Sequence, residues 1–180
     1  MAEETNKTNI SLPVVQAIQA TSILSLILFM KVVVVNVGLG GAKYKAGTRA
    51  PEDTYQMNKE GVPPDAQEIQ DRVQRIVNND LENIPYTMAL SWCSLFCIYL
   101  SSSSAASGGG NNATTTTTVT TTDKLAMTHI ALYATFVVCR IGHSLSYSYG
   151  YSMTRSLVWS MGILCSFGLA INGCIASFRI

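Results

Sequence analysis

Charge is scarce in this chain. Asp, Glu, Lys and Arg make up 13% of its 180 residues, against about 25% in an ordinary soluble domain. The formal net charge is +1, which leaves no broad basic surface of the kind that recruits nucleic acid. No nucleic-acid partner is expected. The five cysteines, Cys93, Cys97, Cys139, Cys165 and Cys174, all fall in apolar stretches. Cys93 and Cys97 share a helical face at i,i+4, but no nearby histidine or second pair completes a metal site. The thiols therefore read as small apolar packing groups, with neither a metal nor a disulfide expected. A basic N-terminal cluster is also missing, with Glu3 and Glu4 in its place. The apolar run that follows exceeds the ~7–15 residues of a signal-peptide core, so it reads as a retained first helix.

Long apolar runs are what the chain has instead. The charges bunch mostly between Lys43 and Glu82, leaving apolar tracts on either side. Four spans emerge: Val14 to Gly41, Ile69 (or at the latest Ile84) to Leu100, Leu125 to Tyr147, and Ser156 to Phe178. Each reaches roughly 20 residues, enough for a ~30 Å hydrocarbon core. The expected fold is all-α, an integral membrane bundle of four transmembrane helices, forming a single membrane domain over residues 1–180 with the bundle from about residue 12.

Lys43, Lys45 and Arg49 follow the first span, and Arg155 follows the third. By the positive-inside rule the first and third connections face the cytosol, and the termini and second connection face the lumen. The second connection, residues 101–124, is a run of Ser, then Gly, then Thr. With almost no apolar surface to bury, it is expected to be a disordered lumenal loop. Asn112-Ala-Thr114 within it, like Asn6 and Asn9 near the N-terminus, matches an N-glycosylation sequon. Pro64-Asp65 before an apolar-periodic stretch places the start of the second helix near Asp65, several turns before the membrane.

The charges that run into the second span are the informative ones. At ~100° per residue, Arg72, Arg75, Asn79 and Glu82 fall within an arc of about 80°, and Asp80 lies well off it. On the third helix Arg140, His143 and Tyr147 share an arc of about 60°. Ions beside a membrane-length apolar run are costly and mark function by default, so the two stripes are expected to face a shared hydrated cleft. Blander roles exist for single residues. Arg72 fits an interface position, Arg75 and Glu82 an ion pair, Asn79 an interhelical hydrogen bond, and Lys31 a partner for Glu82 or Asp80. Taken together, guanidinium forks suit carboxylates and a carboxylate such as Glu82 suits an ammonium, so the set reads as a receptor for a small zwitterionic anion. Arg155, opening the fourth helix, is the candidate activating group. A guanidinium near a thiol whose pKa is about 8.5 favours the thiolate, and Ser156 beside it offers a hydroxyl.

Arg72-Val-Gln-Arg75-Ile-Val-Asn-Asn79-Asp80-Leu-Glu82-Asn-Ile-Pro85 resembles the second-helix motif of the MAPEG family, the membrane-associated proteins of eicosanoid and glutathione metabolism. The likeness is closest to its microsomal glutathione transferase and prostaglandin E synthase branch. Arg140-Ile-Gly-His143-Ser-Leu-Ser-Tyr147 is similar to that branch's third-helix motif, Thr154-Arg155-Ser156 to the start of its fourth helix, and Ala50-Pro51-Glu52-Asp53 to its first-loop element. Asn78 stands where the synthase has an arginine, Trp159 where it has a tyrosine, and Thr54 where the mammalian transferase has a regulatory cysteine.

The resemblance implies a homotrimer with glutathione as co-substrate between neighbouring subunits. It implies that Arg75, Asn79, Glu82, His143 and Tyr147 bind glutathione and that Arg155 stabilises the thiolate; the polar stripes add Arg72 and Arg140 to the expected glutathione-binding set, and Ser156 joins Arg155 as a catalytic candidate. The expected activity is glutathione transfer to lipophilic electrophiles and reduction of lipid hydroperoxides, from a cytosol-facing site in the endoplasmic reticulum or the outer mitochondrial membrane. A prostaglandin-type isomerase and a non-catalytic lipid-binding scaffold are the alternatives.

Overall fold

The computed structural model describes residues 11–50, 52–53, 61–107 and 113–180. Four helices account for nearly all of them: α1 (Leu12–Ala46), α2 (Ala66–Ser107), α3 (Ala113–Tyr149) and α4 (Ser152–Ser177). All four are long and apolar enough to cross a membrane, and no strand occurs among the described residues. The second helix begins one residue after Asp65, so its first turns carry Arg72 and Arg75 before the apolar run.

Two helices end the same way. Gly47 (φ 67°) lets Thr48 N–H donate to the Lys43 carbonyl at 3.1 Å while its own N–H donates to Tyr44 at 3.3 Å. Gly150 (φ 75°) does the same for α3, with Tyr151 N–H on the Ser146 carbonyl at 2.9 Å. This left-handed glycine cap satisfies carbonyls that a helix end leaves bare. The cap at Gly150 turns the chain at once into α4. It thereby sets Arg155, in the first turn of α4, beside Tyr147 in the last turns of α3.

The Ser and Thr runs at 101–107 and 113–124 are helical, continuing α2 and preceding the apolar part of α3. The sequence reading expected irregular chain there. Extending an existing helix fixes one residue per hydrogen bond gained, without a new nucleus, and so needs no apolar face. Residues 108–112, including the Asn112 sequon, lie outside the described residues, as do Asn6, Asn9, Pro51 and Thr54.

α2 and α3 pack against each other and against both remaining helices. The interior is layered. One apolar cluster joins Val14, Ala17, Leu95, Ile98, Ala126 and Ala176, and a second joins Leu28, Ile84, Tyr133, Phe136, Cys165 and Leu169. Between them sits a polar layer centred on His129, which is fully buried. Its Nε2 lies 3.0 Å from Thr21 Oγ1 and 3.3 Å from Ser91 Oγ, and its Nδ1 lies 3.4 Å from Ser94 Oγ. Hydroxyls from two neighbouring helices thus hold one imidazole, as buried polar groups inside an apolar bundle require. Nearby, α2 and α4 approach closely: a Cβ on Gly173 would lie 2.9 Å from the Ser94 Cα. The outward faces carry Ile23, Leu26, Phe29, Val34, Val138, Leu164 and Phe167 in exposed positions, the surface a lipid-facing bundle presents. All five cysteines are free thiols.

Candidate functional site

The sequence-predicted residues gather at one end of the bundle, where α1 and α3 finish and α2 and α4 begin, in two strata. The outer stratum is a cleft of about 380 Å³ between the first turns of α2 and the α3–α4 junction. Arg72, Arg75, Tyr147 and Arg155 line it, together with Glu68, Asp71 and Gly150. The Arg155 guanidinium lies over the Tyr147 ring, 4.5 Å from its centroid. That is well inside the range of a cation–π contact. His143 stacks edge-on against the same ring at 5.1 Å. One phenol therefore links a buried imidazole to the cation at the mouth of the cleft.

The inner stratum lies beneath. Arg140 is fully buried, and its Nη1 donates to Asn79 Oδ1 at 3.0 Å. The guanidinium also lies over the Phe136 ring, 5.2 Å from the centroid. Lys31 and Asp80 form a salt bridge with side chains 10% and 2% exposed. This is the Lys31–acid pairing that the sequence left open between Asp80 and Glu82. Asp80 is placed for it by being off the polar stripe: about 80° round the helix from Arg72, it faces α1, while Asn79 faces α3. Asn83, one turn on, donates to the Asn79 carbonyl at 2.7 Å and accepts from Tyr86 Oη at 3.1 Å. Two cations and one carboxylate are thus held inside the bundle. Arg140 Nε and Nη2 and His143 Nδ1 have no hydrogen-bond partner among the described residues.

Three expected residues stand apart from this picture. Glu82 is exposed, makes no ion pair among the described residues, and lies at the far edge of the stripe, about 10 Å along the axis from Arg75. Arg75 and Glu82 do not pair. Ser156 is exposed, and its hydroxyl donates to the Ser152 carbonyl at 3.2 Å. A step of ~100° from Arg155 turns it away from the cleft. Arg140 is too deep to line the cleft, and its hydrogen-bond partner Asn79 lies below the lining with it.

Glu68 and Asp71 were missed, although the sequence carried their signal. Glu68 accepts from Arg72 at 2.5 Å, an exposed i,i+4 pair, and Asp71 has the same spacing to Arg75. His129 was missed too. Thr87, Ser91 and Ser94 on one face of α2, with His129 and Tyr133 at i,i+4 on α3, form the pattern that would have revealed the buried polar layer.

The cleft can bind a small anion that carries one positive group, since three guanidinium groups and two carboxylates surround it. It can also bring a bound thiol beside a fixed guanidinium. The MAPEG family model matches residues 21–109 and 119–174, stretches that hold both polar stripes, the Lys31–Asp80 bridge and Arg155. No curated protein and no solved structure matches the chain. The family's activities are glutathione-related transferase, isomerase and synthase reactions at membranes. A bundle of four apolar helices, polar at one end and matched by this model over both halves, is an integral membrane protein, and the chain belongs to the MAPEG family.

Proposed function

We propose that the protein is a membrane-bound glutathione transferase of the microsomal type, with glutathione peroxidase activity toward lipid hydroperoxides. The observation that carries this reading is the convergence of Arg72, Arg75, Tyr147 and Arg155 on one cleft, with Arg155 held over the Tyr147 ring. Glutathione at neutral pH has two carboxylates and one ammonium, and the cleft offers three guanidinium groups and two carboxylates. Arg72 and Arg75 take the carboxylates as forks. His143 and Tyr147 form the inner wall, and Asn79, fixed by Arg140, carries the site inward.

Arg155 supplies the activation. A guanidinium beside the bound sulfur stabilises the anion, raising the fraction of thiolate above the few per cent that a free thiol carries at neutral pH. The thiolate then attacks a lipophilic electrophile dissolved in the bilayer. With a chloroarene, a carbon–sulfur bond forms and chloride leaves. With a hydroperoxide, sulfur takes the distal oxygen, releasing an alcohol. A second glutathione converts the sulfenic acid to the disulfide and water. Ser156 acts in this scheme only if its hydroxyl leaves the Ser152 carbonyl.

The subunits assemble as a homotrimer with glutathione between neighbours. Glu82, exposed on a single subunit, then turns toward the adjoining chain, where it receives the glutathione ammonium. The cleft faces the cytosol, in the endoplasmic reticulum. Replacing Arg155 with Ala tests the reading: glutathione binding is expected to persist in part, and the thiolate absorbance expected when the unaltered protein is mixed with glutathione should be lost. Undiminished thiolate formation in that variant would refute it.

A further inference from the structure

We propose that Gly162 on α4 is a positioning residue: its bare Cα is the seat for the Arg140 guanidinium, and through Arg140 it fixes Asn79 at the inner wall of the glutathione site. The functional half of this statement rests on the reading of the cleft given above; the seat itself does not.

The geometry points to a slot made by the missing side chain. A Cβ at Gly162 would lie 2.5 Å from Arg140 Nη2 and 3.3 Å from both Cζ and Nε. Three atoms of the side-chain head thus rest on that one glycine. A long side chain often swings away from such a contact, but this one has nowhere to go. Arg140 is fully buried, its Nη1 is tied to Asn79 at 3.0 Å, and its Cζ lies over the Phe136 ring, 5.2 Å from the centroid. Moving the head to admit a methyl group breaks the Asn79 bond or forces the guanidinium off the ring. In a packed interior, either is costly.

Gly168 and Gly173 are also crowded, by Leu132 at 3.0 Å and by the Ser94 Cα at 2.9 Å, but of these tight positions Gly162 is the one that meets a charged group. Gly38, Gly40 and Gly41 on α1 have nothing within 4 Å of an added Cβ, so they tolerate alanine. Gly142 meets only Val158, at 3.7 Å, an ordinary contact. At Gly162 the absent side chain is filled by a charged group from another helix. Ser166, one turn on, bonds both the Gly162 carbonyl (3.1 Å) and Thr87 on α2 (2.8 Å), which holds this stretch of α4 against the bundle. Gly162 therefore completes a chain of contacts from α4 through α3 to Asn79 on α2.

A double-mutant cycle of Gly162→Ala with Arg140→Lys tests this, read by thermal midpoint in detergent without glutathione and by calorimetric titration with glutathione. Lysine has no planar head to collide with alanine. Gly162→Ala alone is expected to lower the midpoint and weaken glutathione binding by about tenfold, the loss of one charge-assisted hydrogen bond. In the Arg140→Lys background, the same alanine is expected to cost less than half as much in midpoint. Gly41→Ala serves as the control and leaves both readouts unchanged. Equal midpoint losses in the two backgrounds, or wild-type behaviour of Gly162→Ala, would overturn the seat. Coupling in the midpoints without glutathione binding to the wild type would uphold the seat and overturn the reading of the cleft instead. Coupling with unchanged glutathione affinity would overturn the positioning role.

Discussion

Arg155 lies over the ring of Tyr147, 4.5 Å from its centroid, across the turn that joins α3 to α4. Two residues eight apart in sequence meet because Gly150 ends one helix and Tyr151 sits at the N-cap of the next. The ring has a job that its hydroxyl does not share: it holds a guanidinium in place by its face. Tyr147→Phe is therefore expected to keep most of the transferase rate. Tyr147→Ala frees Arg155 and loses a contact worth about 0.5–1 kcal/mol, seen as a several-fold drop in the rate of thiolate formation.

Glu68 holds Arg72 in an ion pair that an anion entering the cleft would have to displace, and Asp71 adds a second negative charge to its lining. Glu68→Gln releases Arg72 and removes a negative charge from the proposed glutathione site. Glutathione binding to this variant is expected to tighten two- to threefold, by about as much as an exposed ion pair contributes. Isothermal titration at low and at high salt checks it, and the gain should shrink as salt screens the cleft.

The Lys31–Asp80 bridge joins α1 to α2 inside the bundle. Removing one partner strands a buried charge, at a cost of about 3–5 kcal/mol, whereas an apolar pair of similar volume is far better tolerated. Lys31→Met and Asp80→Leu are each expected to lower the unfolding midpoint sharply. The double variant should recover part of the loss. Unfolding in detergent with increasing dodecyl sulfate measures this directly.

The His129 layer stabilises helix packing far from the cleft. His129→Leu leaves the Thr21, Ser91 and Ser94 hydroxyls without their shared partner. At about 0.6 kcal/mol for an average interhelical hydrogen bond, the loss comes to about 1–2 kcal/mol. Glutathione affinity should not change. A fall in affinity comparable to that of a cleft variant would show that the two regions are coupled.

Much of this was legible in the sequence. Length and apolar run fixed four helices, because a bilayer accepts only segments that satisfy their own backbone and are long enough to cross it. The Pro64-Asp65 signal located the start of α2 to within one residue of Ala66. Helical arithmetic placed Arg72, Arg75 and Asn79 on one face and His143 and Tyr147 on another, and the structure brings those faces together. Depth was not legible. Periodicity gives an angle around an axis, so Arg140 shared an arc with Tyr147 while lying two turns deeper. Ser156 sits a ~100° step round the helix from Arg155, and its hydroxyl turns to the Ser152 carbonyl instead of the cleft. Glu82 lies at the edge of its arc, where a single subunit leaves it exposed. Composition alone marks the Ser and Thr runs as irregular, yet helix extends into both from the neighbouring spans.

The pH dependence of thiolate formation tests the central claim most directly. Titrating the thiolate absorbance of bound glutathione in wild type and in Arg155→Ala gives the apparent pKa of the bound thiol in each. With Arg155 stabilising the anion, the wild-type inflection lies below the ~8.5 of a free thiol, and removing the guanidinium moves it up to that value or beyond. A wild-type inflection at the free-thiol value, unmoved by the substitution, would contradict the account.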